Sequence, residues 1–208
     1  SSLFFGVRDA PEEELLYNAG MLINSDFSFD IYYKNKLLPF GEDLPLGPLT
    51  KMVKPYFPSI AFFNKGENTT IFKLKDDVTF SSMICYEVLF PSLIFNQLKN
   101  FNVRPSFFIN ITNDSWYGDT SEPEQHLFLS RWRSIEFGVP LIRSTNTGIS
   151  TIILPNGNYK KRIEYGVEGT LDQEITLKPG FKTIYSLFGR NLFNLSGAVI
   201  ILFGHFFR

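Results

Sequence analysis

The chain has 208 residues, 44% hydrophobic and 20% charged, which is enough for one domain with a sizeable core. Its formal net charge is −1, with no basic arm and no block of like charge, so nothing electrostatic favours nucleic acid. The lone cysteine, Cys85, excludes an intramolecular disulfide, and the opening SSLFFGVRDAPEEE does not read as a signal peptide.

In chain order, strands are expected at 3–7, 17–23 and 29–33. A loop then runs over 39–65 and carries Pro39, Pro45, Pro48, Pro55 and Pro58. That is too long for an ordinary connection, so it is functional or disordered. Its apolar residues Met52, Tyr56, Phe57, Ile60, Phe62 and Phe63 form either a lid or core packing. Strands follow at 69–74 and 78–85, and Pro91 is placed to open a helix to about Asn100. After a strand at 106–112 comes the loop NDSWYGDTSEP, in the strand-end position where α/β sheets bind ligands. Ser121 with Glu124 reads as a capping box for a helix reaching Phe137, with an apolar stripe of Phe128, Trp132 and Ile135. Strands at 140–144 and 150–154 lead into LPNGNYKKRIE, a hairpin with positive φ expected at Asn156 and Gly157. A last strand is expected at 170–175. The alternation favours an α/β layer architecture. From Leu192 to Phe207 the chain is apolar apart from Asn194, Ser196 and His205. It reads either as a buried terminal helix or as the start of a transmembrane one, which needs about 20 such residues.

Cys85 falls on a strand-to-helix turn. Such turns expose a nucleophile and aim backbone N–H groups at it, but a lone strand-end cysteine is also ordinary packing. Glu87, two positions on, is a charge in an apolar stretch and needs a partner. Neither histidine suits a cysteine's base: His205 lies in the terminal apolar run, and His126 reads as a loop-contact residue. Proton chemistry then falls to carboxylates and lysine, which YYKNKLLPFGEDLP supplies as Lys34 and Glu42. Arg143 reads as a structural bridge to Glu87 or Glu136. No His/Cys/Asp cluster has metal-ligand spacing, and no nucleotide-binding glycine motif appears.

Taken together, KNKLLPFGE, ICYE, NITNDSWYG, QHLFLSRWRSIEFGVPLIRSTNTGIS and LPNG resemble the carbon–nitrogen hydrolase (nitrilase) domain of the apolipoprotein N-acyltransferases, over nearly the whole chain. The resemblance implies a nitrilase-like α-β-β-α sandwich, incomplete at the N-terminus, over residues 1–185. The start of a C-terminal transmembrane helix would occupy 190–208. It implies a Glu-Lys-Cys triad with Cys85 as nucleophile and Lys34 as the lysine, and supporting roles for Glu42, Tyr86 and Glu87. Trp116 is either a wall of the acyl pocket or a loop anchor. The implied reaction moves an acyl chain from a phospholipid, through a cysteine thioester, to the α-amine of a lipoprotein's N-terminal diacylglyceryl-cysteine. No cofactor or metal is implied. The setting would be the bacterial inner membrane, with this domain facing the periplasm, and the protein a monomer.

The family's general-base glutamate, in a strand-end Pro-Glu upstream of the lysine, has no match here. Glu12 lies too close to Lys34 to be assigned. The expectation is therefore an N-terminally truncated sequence with little transfer activity by itself. The alternatives are a soluble nitrilase-type amidase and a catalytically dead remnant that binds lipid or lipoprotein.

Overall fold

The computed structural model describes residues 2–13, 15–99, 104–177, 182–189 and 191. Three strands, β1 (Leu3–Glu12), β2 (Leu15–Ile23) and β3 (Phe29–Tyr33), form an antiparallel meander. The Pro-rich loop that follows holds a single turn of helix, α1 (Thr50–Val53). Six strands build the second sheet: β4 (Ile71–Lys73), β5 (Thr79–Ile84), β6 (Phe107–Thr112), β7 (Leu141–Thr145), β8 (Ser150–Ile153) and β9 (Tyr159–Ile163), in that spatial order. Its centre, β5-β6-β7, is parallel, and its edges are antiparallel. The parallel crossovers are made by α2 (Pro91–Lys99) and α3 (Glu122–Phe137), while a short α4 (Ile184–Phe188) packs on α3.

Both faces of the six-stranded sheet are covered, and β5 is buried along its whole length, as a central parallel strand must be. Alternation along the strands divides the core in two. Phe80, Ile84 and Phe107 face Leu22 and Tyr32 of the meander, with Phe72 and Phe80 stacked at 4.8 Å. Met83, Phe108 and Leu141 face Ile94 of α2 and Leu127 and Phe137 of α3. The described residues thus make a sheet–sheet–helix order, three of the four layers expected.

Several local expectations change. Residues 170–175 form no strand. In the hairpin only Gly157 takes a positive φ (81°). The Gly157 N–H closes a turn onto the Leu154 carbonyl, and Asn156 caps the Asn158 N–H, so the connection is a three-residue turn with one left-handed glycine. Ser121 sits at the N-cap of α3 but makes no capping hydrogen bond, and Pro123 supplies the start instead.

The stripe Phe128, Trp132 and Ile135 faces outward. The buried face of α3 is largely polar, with His126, Ser130, Arg133 and Ser134. The reason is the polar group that this helix covers, described below. The stretch Leu192–Phe207, expected to begin a transmembrane helix, lies outside the described residues. Among those described, no helix is long and apolar enough to cross a membrane.

Candidate active site

Strand β5 runs directly into a 3-10 turn, Cys85–Leu89, that opens on the cysteine. Cys85 has φ 53°, a left-handed conformation that costs an ordinary residue roughly 1–2 kcal/mol and needs holding. Two groups hold it. From the neighbouring parallel strand β6, Asn110 Nδ2 donates to the carbonyls of Met83 (3.2 Å) and Cys85 (3.1 Å). From inside the turn, Glu87 reaches back to accept the Ile84 N–H at 2.8 Å.

Glu87 is completely buried. Besides Ile84 it accepts the N–H groups of Asn35 (2.7 Å) and Lys36 (2.8 Å), and the Tyr32 hydroxyl donates to it at 3.1 Å. Burial pushes its carboxyl up, and the backbone donors and the Lys34 charge pull it back. The partner that its charge demanded is therefore a ring of backbone donors. Through them it ties the end of β3 to the cysteine turn.

Lys34 sits at that strand end. Its N–H donates to the Asn18 carbonyl, and its own carbonyl accepts from Gly66. A Cβ at Gly66 would overlap the Tyr33 carbonyl, so only glycine lets the loop close this tightly on the strand. The Lys34 side chain is 1% exposed, with Nζ 2.7 Å from Glu42 Oε2. Beyond that ion pair, the buried Nζ has no hydrogen-bond partner among the described residues. Glu42 is fixed independently, by Asn18 Nδ2 on Oε1 (2.7 Å) and the Leu38 N–H on Oε2 (2.7 Å). Lys34 Nζ also lies 5.5 Å from the Tyr86 ring centroid, and the Tyr86 hydroxyl donates to Leu37 O at 2.6 Å.

Lys34, Glu42, Cys85 and Trp116 line one cavity of about 550 Å³. Ile60 and Phe63 of the long loop form part of its wall, whereas Met52 and Tyr56 are outside its lining and exposed. Trp116 is on the turn Ser115–Tyr117 at the mouth, 63% exposed. Tyr86 and Glu87 stand behind the cavity rather than in its lining. Chemically the cavity offers a half-buried thiol and a buried ammonium with hydrogen-bonding capacity unspent.

Behind the cysteine turn lies a buried polar relay that the sequence reading missed. Arg143 bonds neither Glu87 nor Glu136. It donates to Asn110 Oδ1 (2.7 Å) and Asp114 Oδ2 (2.7 Å), while Glu136 pairs with Arg133. Asp114 continues to His126 Nδ1 at 3.1 Å. His126 is thus a loop contact, as expected from its place on the helix. Burial would raise Asp114, but the His126 hydrogen bond and the Arg143 charge hold it below the usual carboxylate range. Burial also pushes His126 down, against the raising effect of the Asp114 hydrogen bond. This relay explains why α3 turns its polar face inward.

The fold also gathers three groups of ligand type that are not clustered by spacing: Asp114, Glu122 and His126 have atoms within 4.8 Å of one another. Arg143 already neutralises Asp114 there, a donor set that suits an internal cation better than a metal. An asparagine in the middle of the apolar strand FFINIT, together with the arginine in the strand LIRST, is the sequence signal of the relay.

The family model for carbon-nitrogen hydrolase matches residues 2–180. Among curated proteins, the apolipoprotein N-acyltransferase of Rickettsia typhi is 35% identical over 179 residues, covering 84% of this chain and 34% of that protein. That of Pasteurella multocida is 33% identical over 205 residues, covering 95% and 38%. The chain therefore spans well under half the length of these relatives. Among solved structures, an amidase of the nitrilase superfamily from Nesterenkonia AN1 aligns with TM-score 0.58 at 18% identity, over 79% of this chain and 58% of that one. Nit3 of Saccharomyces cerevisiae, from branch 10 of the nitrilase superfamily, aligns with TM-score 0.59 at 18% identity, over 78% and 55%. With a family match over most of its length and the fold of those structures, the chain belongs to the carbon-nitrogen hydrolase family.

Proposed function

We propose that this site carries out acyl transfer from a phospholipid to the α-amine of a lipoprotein's N-terminal diacylglyceryl-cysteine, through a thioester on Cys85. The observation that carries the reading is the buried Lys34 ammonium, paired with Glu42 at 2.7 Å and sharing one cavity with the Cys85 thiol. In the first half-reaction the Cys85 sulfur attacks the ester carbonyl carbon. A C–S bond forms, the C–O bond breaks, and the lysophospholipid leaves as an alcohol. In the second, the acceptor amine attacks the thioester carbon, a C–N bond forms, the C–S bond breaks and the amine loses a proton. Splitting the transfer in two lowers each barrier.

Lys34, whose buried ammonium keeps N–H donors beyond its pairing with Glu42, stabilises the oxyanion that develops in both halves. Glu42 keeps that ammonium in place, and Tyr86 and Glu87 hold the elements that carry Lys34 and Cys85. Trp116, with Ile60 and Phe63, walls the acyl chain and excludes the water that would hydrolyse the thioester. Phe40, Met52 and Tyr56, each more than two-thirds exposed on or beside the long loop, suit contact with a bilayer that delivers the donor. We place the reaction at the outer face of the bacterial inner membrane, catalysed by a monomer. The curated relatives named for apolipoprotein N-acylation favour this over amide hydrolysis.

The test is single-turnover trapping with phospholipid vesicles at about pH 9, where an ordinary thiol is largely ionised and solution base can take its proton. Intact mass should show one hydroxylamine-labile acyl group on Cys85, absent from Cys85→Ala and lost on adding a diacylglyceryl-cysteine peptide. Adduct formation with a small amide but not with phospholipid would favour an amidase. A protein that forms neither would sink both readings.

A further inference from the structure

Resting on the acyl-transfer reading, we propose that Arg8, at the rim of the cavity, binds the phosphodiester of the phospholipid donor and so orients its ester toward Cys85. Arg8 lies on β1 and lines the same cavity as Lys34, Glu42 and Cys85. Three observations give its guanidinium that place. Strand register sets Arg8 directly opposite Asn18, so the two side chains share one face of the meander, and Asn18 bonds Glu42 Oε1 at 2.7 Å. Arg8 Cζ stands over the Phe63 ring, 5.7 Å from its centroid. Phe63 is in turn fixed to the site, because its N–H donates to the Glu42 carbonyl at 2.9 Å.

Charge decides what the guanidinium can take. Of the residues lining the cavity, only Arg8, Lys34 and Glu42 are charged. Lys34 and Glu42 neutralise each other at 2.7 Å, and the Glu42 oxygens are also held by Asn18 and the Leu38 N–H. Asp9, next in the chain, belongs to the opposite face of the strand and accepts the Tyr33 hydroxyl. Arg8 thus makes no ion pair among the described residues, and the lining keeps one positive charge without a counter-ion. The phosphodiester is the anion common to phospholipids, and a planar guanidinium grips its two free oxygens as a fork. Position agrees with charge. Arg8 is exposed whereas Lys34 is buried. The strongly hydrated phosphate therefore stays at the wet rim, where desolvation costs little, while the ester enters toward the thiol. The glycerol of the donor joins the two.

Two lipids with the same acyl chains, one lacking the phosphate, test this. Single-turnover acylation of Cys85 is followed by intact mass at about pH 9, from dioleoylphosphatidylethanolamine and from dioleoylglycerol in micelles of one neutral detergent. The buffer is low in salt and free of phosphate, so the only phosphate present is the lipid's. With either lipid a C–S bond forms, the ester C–O bond breaks, and the thiol proton ends on the departing glycerol oxygen. In Arg8→Ala the rate with phosphatidylethanolamine should fall about 10-fold, the scale of one charged hydrogen bond at a wet site. Arg8→Lys keeps the charge without the fork and should lose about 3-fold. The diacylglycerol rate should not change in either variant. An unchanged phosphatidylethanolamine rate, or equal falls with both lipids, overturns the proposal. So does an intact first step with slower transfer from acylated Cys85 to a diacylglyceryl-cysteine peptide, which would assign Arg8 to the acceptor. Thermal melts of both variants should match wild type, and failure of both to fold would make Arg8 structural and overturn its role. A wild-type protein acylated by neither lipid removes the acyl-transfer reading itself, and this role with it.

Discussion

Glu87 Oε1 accepts the backbone N–H of Asn35 at 2.7 Å, across 52 residues of chain. That bond and its neighbour from Lys36 join the strand end bearing Lys34 to the turn bearing Cys85, so the distance between ammonium and thiol is set by a third residue that touches neither the cavity nor a substrate.

Glu87→Gln tests this tie. The hydrogens on the carboxylate come from the Ile84, Asn35 and Lys36 amides and the Tyr32 hydroxyl. A glutamine must turn its NH₂ toward one side of that ring and leave an N–H unpaired. The expected loss is about 1–3 kcal/mol in urea unfolding. An unchanged midpoint would mean that the buried carboxyl already carries a proton.

Lys34→Met removes a buried cation and strands Glu42, which should cost about 3–5 kcal/mol. Adding Glu42→Gln removes the stranded charge, so the double variant should recover at least half of that loss. Neither variant should acylate Cys85. Recovery of acylation along with stability would show that Lys34 serves only to neutralise Glu42.

Cys85 pays for its exposure with a strained backbone. Glycine takes φ 53° without that strain, whereas alanine does not. Cys85→Gly should therefore be more stable than Cys85→Ala by about 1 kcal/mol, although glycine's freer unfolded chain opposes the gain. Comparing urea midpoints of the two inactive variants checks it. Alanine proving the more stable would mean that the turn relaxes out of the left-handed region.

Glu122, at the head of α3, is pushed up to about 7 by burial and then by the Asp114 charge. Its folded form keeps a proton that the unfolded chain releases near the ordinary value of 4.5. The resulting stability is present in full below pH 4.5 and lost as pH rises through about 7. His126, lowered by burial, has the opposite slope, its contribution growing as pH rises toward its ordinary 6.5. The prediction is therefore a difference: from pH 4.5 to 8 the melting temperature of Glu122→Gln should fall less than that of wild type. Parallel profiles would show that Glu122 titrates normally.

Much of the site was legible because its residues come in short, chemically unusual runs. Local chemistry marks Lys34 at a strand end, Glu42 after Gly41, and Cys85 between an apolar strand and Pro91 only as candidates, each of which alone reads as readily as packing or a solvated loop; the motifs taken together carry the resemblance that singles them out. The strands β2, β3, β6 and β8 fall close to their expected places because period-two alternation and turn residues act over a few positions. The facing of α3 was not legible. Its exposed side is the more apolar, and a stripe of Phe128, Trp132 and Ile135 gives no sign that a buried arginine waits beneath the other face.

The sequence by itself determined the chain's class: an α/β domain with one thiol on a strand-to-helix turn and a candidate lysine and glutamate upstream. These depend on propensity and spacing, which operate within a few residues. Only the tertiary structure decided what holds that thiol. Asn110, Arg143 and Asp114 lie on separate elements, and Glu87 meets Asn35 and Lys36 across half a hundred residues. Such partnerships are fixed by the cost of leaving a buried polar group unpaired, and which groups are buried together is known only once the sheets and helices have packed.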